Sequence, residues 1–302
     1  MFGRQCFPAS TGIRLFLFAA LLACGLQAHS QTRADCEKQY QPSTGQPGKD
    51  VVWVPTNDGL VTRMLDMVKV TKTDLVYDLG AGDGKIAIAA AKQFGAKAVG
   101  VEYNPDLAAL AQCLVRAEGL TERVKIIQGD IFETNFSDAT VVTLYLLPEL
   151  NLKLRPTILA MKPGTRVVSH SFLMGDWQPD ESSVSEDGAA YMWLVPAKVT
   201  GRWIFKQKDG KDSFSLRLNQ TFQKVVGTTD DPGSGGVEVN QGELKGTEIS
   251  LMFSEDAESA ARSVGVSGIT RLKGTVSGAV MEAQVTRNNT TTTFIGKRQT
   301  TT

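Results

Sequence analysis

The stretch Tyr77–Lys85, "YDLGAGDGK", constrains the fold more than any other part of the chain. Three glycines, Gly80, Gly82 and Gly84, stand at alternate positions between a short apolar run and an alanine-rich segment. Glycine adopts positive φ angles readily and lets another group come close to the backbone. A turn from a buried strand into a helix also presents free amides at the start of that helix. The stretch therefore predicts a strand–loop–helix unit whose loop approaches a ligand.

Strand-like and helix-like segments alternate around this loop. Alternation of this kind is typical of a parallel, doubly wound, Rossmann-like sheet, and we expect that domain over residues 56–180, after a linker or arm at 31–55. The predicted strands are 75–78, 98–102, 124–128, 140–144 and 166–169, and the predicted helices are 60–68, 85–94, 105–118 and 148–161.

The pattern changes beyond residue 180 to short β-like runs separated by turn residues. Gly242–Gly246 and Gly274–Gly278 are similar in sequence, and each is followed by an apolar run, which indicates repeated hairpins. We expect a small β-sandwich or barrel over residues 190–298. The runs are 199–207, 213–218, 221–226, 237–239, 248–253, 269–272, 280–287 and 291–295.

The residues around the glycines favour one class of ligand over another. A dinucleotide fingerprint, G-x-G-x-x-G, would place its third glycine at Lys85, whereas this loop has the spacing G-x-G-x-G. Asp78, at the end of the preceding strand, suits a ligand that carries an ammonium group. Glu102, about 20 residues beyond the loop, can accept both hydroxyls of a ribose. Asp130 follows the third strand, so three acidic residues stand at strand ends.

This combination resembles motif I of class I S-adenosylmethionine-dependent methyltransferases. With the segments at 52–56 and 143–172, residues 51–180 resemble bacterial relatives of the ATP-synthase c-subunit lysine methyltransferase family. The resemblance implies S-adenosylmethionine as cofactor and methylation of a protein lysine or other amine. It implies that the cofactor contacts Asp78, Gly80, Ala81, Gly82, Asp83, Glu102, Tyr103, Asn104, Asp130 and Ile131.

The expected acceptor site departs from the family pattern. Many N-methyltransferases carry Asp/Asn-Pro-Pro-Tyr/Phe after the fourth strand, whereas this chain has Tyr145-Leu-Leu-Pro148. Tyr145 is therefore the candidate catalytic residue that steers the acceptor amine, or else a structural aromatic under the helix. His170 is either a base or a hydrogen-bonded strand-end residue, and the latter is favoured.

Two other function classes compete with the methyltransferase. One is an exported binding protein that uses its β-domain and keeps an inactive cofactor fold. The intact set of glycines and acidic residues argues against this alternative. The other is a nicotinamide-dependent oxidoreductase, which Lys85 in place of the third glycine disfavours.

Composition excludes further classes. The chain has 32 basic and 32 acidic residues and no Lys/Arg-rich block, so a nucleic-acid partner is not expected. With two histidines and no CxxC pair, a metal site is not expected either.

The N-terminal residues 1–30 resemble a signal peptide. Arg4 and Arg14 flank the start of an apolar run that is too short to span a bilayer, and Ala28–Ser30 offers a cleavage site. Export to the periplasm is the expectation, with lipid attachment through Cys24 as the alternative and no transmembrane span in the mature chain. Cys36 and Cys113 would remain, either as a disulfide or as separate thiols.

Overall fold

The computed structural model describes residues 31–208, 210, 212–230, 236–253 and 270–299. The signal peptide expected at 1–30 lies outside the described residues. The described chain forms an α/β sheet domain, followed by an antiparallel β-barrel.

The first sheet begins with parallel strands that alternate with helices. Its parallel strands are β1 (Leu75–Leu79), β2 (Lys97–Glu102), β3 (Val124–Gln128), β4 (Val141–Leu144) and β5 (Arg166–His170). The helices are α1 (Arg33–Gln39), α2 (Asp58–Met67), α3 (Lys85–Phe94), α4 (Pro105–Ala117) and α5 (Pro148–Leu159). Apart from α1, which lies in the arm and was not predicted, these elements follow the alternation expected from the sequence.

Two antiparallel strands extend this sheet past the boundary expected at residue 180. They are β6 (Glu181–Ser185) and β7 (Gly188–Leu194), and β7 pairs with β5. Within the described ranges the strand order is β3-β2-β1-β4-β5-β7-β6, so the sheet is mixed rather than wholly parallel. Trp193 of β7 is fully buried and donates from Nε1 to the carbonyl of Trp177 at 2.9 Å, which attaches the strand to this core.

Hydrophobic cores cover both faces of the sheet. Helices α2, α3 and α4 pack on one face against Val76 and Val141, while α5 packs on the other against Leu79 and Leu144. Alternate residues of one strand enter opposite cores because side chains point to opposite faces of a strand. The sheet is therefore doubly wound.

An arm precedes the sheet and is joined to it by a disulfide. Cys36 in α1 is bonded to Cys113 in α4, so the two thiols left open by the sequence are paired. Residues 45–53 then form a short hairpin, called the arm hairpin below. The amide of Gly45 donates to the carbonyl of Trp53 at 2.8 Å, and the amide of Trp53 donates to the carbonyl of Gln46 at 2.9 Å.

The second domain is a closed barrel. Among the described residues eight antiparallel strands close it, in the order β10-β11-β12-β13-β14-β15-β8-β9. Trp203, Phe205 and Phe294 fill its interior, so this is a packed core. The strands are β8 (Gly201–Gln207), β9 (Ser213–Thr221), β10 (Lys224–Thr229), β11 (Val239–Lys245), β12 (Glu248–Phe253), β13 (Thr270–Ser277), β14 (Val280–Arg287) and β15 (Thr290–Arg298).

The turn between β9 and β10 joins the barrel to the first domain. Phe222 stacks on Trp177 with ring centroids 6.0 Å apart and also lies beneath the guanidinium of Arg155. Gln223 is buried and donates from Nε2 to the carbonyl of Gln178 at 2.7 Å. None of the helices in the described residues is long and apolar enough to cross a membrane.

Candidate active site

A cleft of about 590 Å³ opens at the carboxyl ends of β1, β2 and β4. The strand order reverses between β1 and β4, and ligands of open α/β sheets bind at such a switch point. Most of the site residues expected from the sequence line this cleft: Asp78, Gly80, Ala81, Gly82, Asp83, Glu102, Tyr103, Asp130, Ile131 and Tyr145.

The glycine loop forms one wall of the cleft with its backbone. Gly80 has a φ of +84° and Gly82 a φ of +56°, both in the left-handed region. The amides of Gly80 and Ala81 both donate to the carbonyl of Val101 at 2.9 Å. A Cβ at Gly82 would lie 2.7 Å from Nε1 of Trp53, so a larger residue would collide with the indole. The loop therefore needs glycine for its conformation and for close approach.

Asp78 carries a buried carboxylate with one unpartnered oxygen. Its Oδ1 accepts from Oγ1 of Thr143 at 2.7 Å, while Oδ2 is buried without a hydrogen-bond partner. Burial raises the pKa of Asp78 to about 7, and the nearby charges of Asp83 and Glu102 add to the effect. A buried polar atom without a partner is costly, so this oxygen fits a ligand that brings a cationic donor.

Glu102 is held in one orientation by backbone amides. Its Oε2 accepts from the amide of Gly82 at 2.8 Å, and its Oε1 accepts from the amide of Asn104 at 2.8 Å. A carboxylate has about four lone-pair sites, so both oxygens retain capacity for ligand hydroxyls. The carboxylate therefore links the glycine loop to the end of β2.

Asp130 and Asn104 have different positions relative to the cleft. Asp130 lines it, accepts from the amide of Phe132 at 2.8 Å, and pairs with the ammonium of Lys49. That pairing holds the pKa of Asp130 below its usual value. Asn104, expected as a cofactor residue, is outside the cleft lining. Its side-chain oxygen caps α4, accepting from the amides at positions 106 and 107 at 2.9 and 3.1 Å.

The opposite wall comes from the arm, which sequence reasoning treated as a linker. Every residue from 47 to 56 lines the cleft. Lys85 donates from Nζ to the carbonyl of Thr56 at 3.0 Å and pairs with Asp58 at 2.9 Å. The available signal was the apolar run around Trp53 within an otherwise polar arm.

Tyr145 lies at the end of the cleft that follows β4. Its ring stacks on His170 at 3.7 Å between centroids and on Phe172 at 6.3 Å. Burial raises the pKa of the Tyr145 hydroxyl, so it is protonated at neutral pH. Tyr145 is thus both a cleft-lining residue and a stacked aromatic.

His170 lies beneath Tyr145 and outside the cleft lining. Its Nδ1 is 3.2 Å from Oγ1 of Thr56. Burial, with the charge of Arg63, lowers the pKa of His170 to about 4, so the imidazole is neutral at pH 7. This placement fits a hydrogen-bonded strand-end residue better than a base. The described residues contain no group of acidic, histidine or cysteine side chains that could hold a metal ion.

Known proteins resemble this chain across the domain that contains the cleft. A family model described as "ANTKMT methyltransferase domain" matches residues 78–181. The protein-lysine N-methyltransferase of Saccharolobus islandicus is 48% identical over 151 residues, which cover 48% of this chain and 94% of that protein. The human ATP synthase c-subunit lysine N-methyltransferase is 30% identical over 172 residues, covering 57% of this chain and 70% of that protein.

One solved structure has the same sequence identity to this chain as the Saccharolobus islandicus protein. It is titled an RNA methyltransferase from Salinibacter ruber in complex with S-adenosyl-L-homocysteine. The identity is 48%, the match covers 48% of this chain and 96% of that one, and the TM-score is 0.48.

The match to the Saccharolobus islandicus protein spans nearly the whole of that protein but only about half of this chain. The comparisons give no support to the alternative of an inactive cofactor fold. The chain belongs to the family of S-adenosylmethionine-dependent methyltransferases that includes the protein-lysine and ATP synthase c-subunit lysine N-methyltransferases.

Proposed function

We propose that this protein transfers a methyl group to the ε-amine of a lysine in another protein. The observation that carries the proposal is the buried, unpartnered Oδ2 of Asp78 beside the glycine loop, in a cleft that continues to Tyr145. The names of the relatives, protein-lysine and ATP synthase c-subunit lysine N-methyltransferases, support lysine as the acceptor.

Each end of the cofactor has matching groups in the cleft. Asp78 accepts from the ammonium group, which supplies the missing partner of Oδ2. The backbone at Gly82 approaches the cofactor closely, and Glu102 accepts from the ribose hydroxyls. Asp130 and Ile131 contact the adenine. Further wall contacts come from Ala81, Asp83 and Tyr103.

The acceptor end is apolar, and Tyr145 carries the single polar side chain on the described β4–α5 connection. Leu146, Leu147 and Phe172 line it together with Tyr145. An apolar wall disfavours a charged lysine and lowers its pKa, so the amine enters in its neutral, nucleophilic form. Tyr145 keeps its proton, and its hydroxyl oxygen accepts a hydrogen bond from the amine. His170 supports the tyrosine ring from below and, being neutral, takes no part in proton transfer at pH 7.

Bound S-adenosylmethionine supplies a methyl group already activated by its sulfonium. The protein therefore needs to align amine, methyl and sulfur and to exclude water, and it needs no general acid. The lysine loses its proton to solvent as it enters the apolar end of the cleft. Tyr145 then sets the direction of the nitrogen lone pair.

We also propose export as the location of this activity. The residues at 1–30 have the composition of a signal peptide, and the Cys36–Cys113 disulfide suits an oxidising compartment. Fractionation of the producing cells tests this point: the protein should be recovered outside the cytoplasm with its disulfide intact.

The methyl acceptor is tested by transfer of tritiated methyl groups. Purified protein and labelled S-adenosylmethionine are incubated with a protein extract, with a mixture of small amines, or with RNA. Acid hydrolysis of labelled protein should release methylated lysine. Label confined to the small amines or to RNA would contradict the proposal.

Tyr145→Phe tests the steering role. It removes one hydrogen bond to the amine and should lower kcat/KM about tenfold, the effect of roughly 1.4 kcal/mol. Tyr191→Phe is the matched control, because Tyr191 lies in β7 outside the cleft. Equal rates for both variants would remove Tyr145 from the mechanism.

A further inference from the structure

The arm hairpin, which lies between α1 and α2, also forms part of the cleft wall. Its own backbone hydrogen bonds close it, including one from the amide of Gly48 to the carbonyl of Val51 at 2.8 Å. Its tip, at Lys49 and Asp50, lines the same cleft as the glycine loop. The side chain of Lys49 is not needed to form the hairpin, so its contacts require another explanation.

Among the described residues, the side-chain contacts of Lys49 lie at the end of the cleft where we place the adenine. Its ammonium pairs with Asp130, which is 81 positions away in the sequence, and lies 4.8 Å from the centroid of the Tyr103 ring. Asp130 is largely enclosed, with 14% of its side chain exposed. One lysine thus connects the hairpin tip to the residues that follow β2 and β3.

The other parts of the arm are fixed independently. The indole of Trp53 lies against Gly82, and Lys85 holds the carbonyl of Thr56. At its base the hairpin is attached through Gln46, which donates to the Tyr40 hydroxyl at 2.8 Å. Among the described contacts, the one between Lys49 and Asp130 therefore attaches the tip of the hairpin to the adenine end of the cleft.

We propose that Lys49 is a positioning residue that holds the arm hairpin closed over the adenine end of the bound cofactor. The cofactor leaves this end only when the contact between Lys49 and Asp130 opens. Asp130 retains lone pairs for the adenine amino group while it is paired, because a carboxylate accepts several hydrogen bonds. This inference rests on the assignment of the cofactor to this cleft.

The test is the dissociation rate of S-adenosylhomocysteine from the full protein. Tritiated S-adenosylhomocysteine is bound and then chased with an excess of unlabelled compound. Lys49→Ala should dissociate about two to five times faster than the wild type, the range expected for a partly exposed ion pair. Raising the salt concentration should speed dissociation from the wild type more than from the variant.

Two further variants make the result specific. Lys49→Arg retains the charge and should keep most of the slow dissociation. Lys125→Ala removes an exposed lysine of β3 that is outside the cleft lining, and its rate should equal the wild-type rate.

Equal dissociation from Lys49→Ala and the wild type would overturn the inference. Slower dissociation from Lys49→Ala would also overturn it, because the lysine would then compete with the cofactor for Asp130. A wild-type protein that binds no S-adenosylhomocysteine would instead refute the placement of the cofactor in this cleft.

Discussion

Affinity for S-adenosylhomocysteine should rise with pH through neutrality, because Asp78 must be ionised to accept the ammonium group of the ligand. In the free protein, burial raises the pKa of this carboxyl to about 7. A cationic partner favours the ionised form, so binding lowers that pKa. Binding is therefore weaker at a pH where the free protein holds a proton on Asp78.

The size of the effect follows from the fraction of Asp78 that is ionised. With a pKa near 7, the ionised fraction is about one tenth at pH 6 and about three quarters at pH 7.5. If only the ionised form binds, the dissociation constant falls about eightfold between these two pH values. The pKa of His170, at about 4, lies below this range, so its titration does not contribute.

Calorimetric titration over this pH range provides the assay. Near pH 7, buffers of different ionisation enthalpy should also reveal the release of about half a proton on binding. Asp83, whose pKa burial also raises, lines the same cleft, so Asp78→Asn is needed to assign the proton. An affinity that is flat across this range, or a pH dependence that survives Asp78→Asn, would refute the reasoning.

Three other perturbations test the stability of the chain. Asp78→Asn should stabilise the ligand-free protein at pH 8 by up to about 4 kcal/mol. Because the folded-state pKa of Asp78 is raised, its stabilising contribution is complete below the unfolded value of 3.8 and is lost as pH rises through about 7. The neutral asparagine does not ionise, so it avoids this loss. Denaturant unfolding should show this gain at pH 8, and a gain that is equal at pH 4 would contradict it. Phe222→Ala removes the stack on Trp177 and should cost about 2 kcal/mol, less than the loss of a fully buried phenylalanine because Phe222 is half-buried. Calorimetry should show the barrel and first domain melting farther apart, and an unchanged profile would argue against coupling through this contact. Cys36→Ser removes the disulfide to Cys113, which closes a loop spanning 77 positions, and should lower the free energy of unfolding by about 4 kcal/mol. Reductant should have the same effect on the wild type. Equal stability of the oxidised and reduced wild type would contradict this prediction.

The parts of the site that share a strand end could be predicted from the sequence. Asp78 lies near the end of β1, Glu102 ends β2 and Asp130 follows β3, and the carboxyl ends of parallel strands meet at one edge of a sheet. The spacing of the glycines predicted a positive-φ loop, which Gly80 and Gly82 adopt. The local sequence pattern was sufficient to predict these features because each strand–helix unit places the end of its strand at the same edge of the sheet.

The remaining features depend on contacts between distant positions. Neither β6 nor β7 was predicted as a strand, because their sequences do not alternate regularly between apolar and polar residues, so their addition beside β5 was missed. Lys49 reaches Asp130 across 81 positions, and Cys36 reaches Cys113 across 77. A polar arm has no periodicity that would indicate such partners, so it was interpreted only as a linker or arm.

The capping role of Asn104 was missed for a different reason. Its position after Glu102 matches the expected cofactor motif, yet it also precedes Pro105 at the start of α4. Asparagine is among the strongest N-cap residues, and here the helix amides use its side-chain oxygen. The expected cofactor motif and the helix start thus coincide at this residue.

The central claim is that the cleft beside Asp78 holds S-adenosylmethionine. Calorimetric titration of the purified protein with S-adenosylmethionine, with NAD as the comparison ligand and Asp78→Ala as the variant, tests it most directly. We expect micromolar binding of S-adenosylmethionine, roughly 8 kcal/mol of binding free energy, that is absent for NAD and lost in Asp78→Ala. Equal binding of NAD, or full retention of S-adenosylmethionine binding in the variant, would contradict the account.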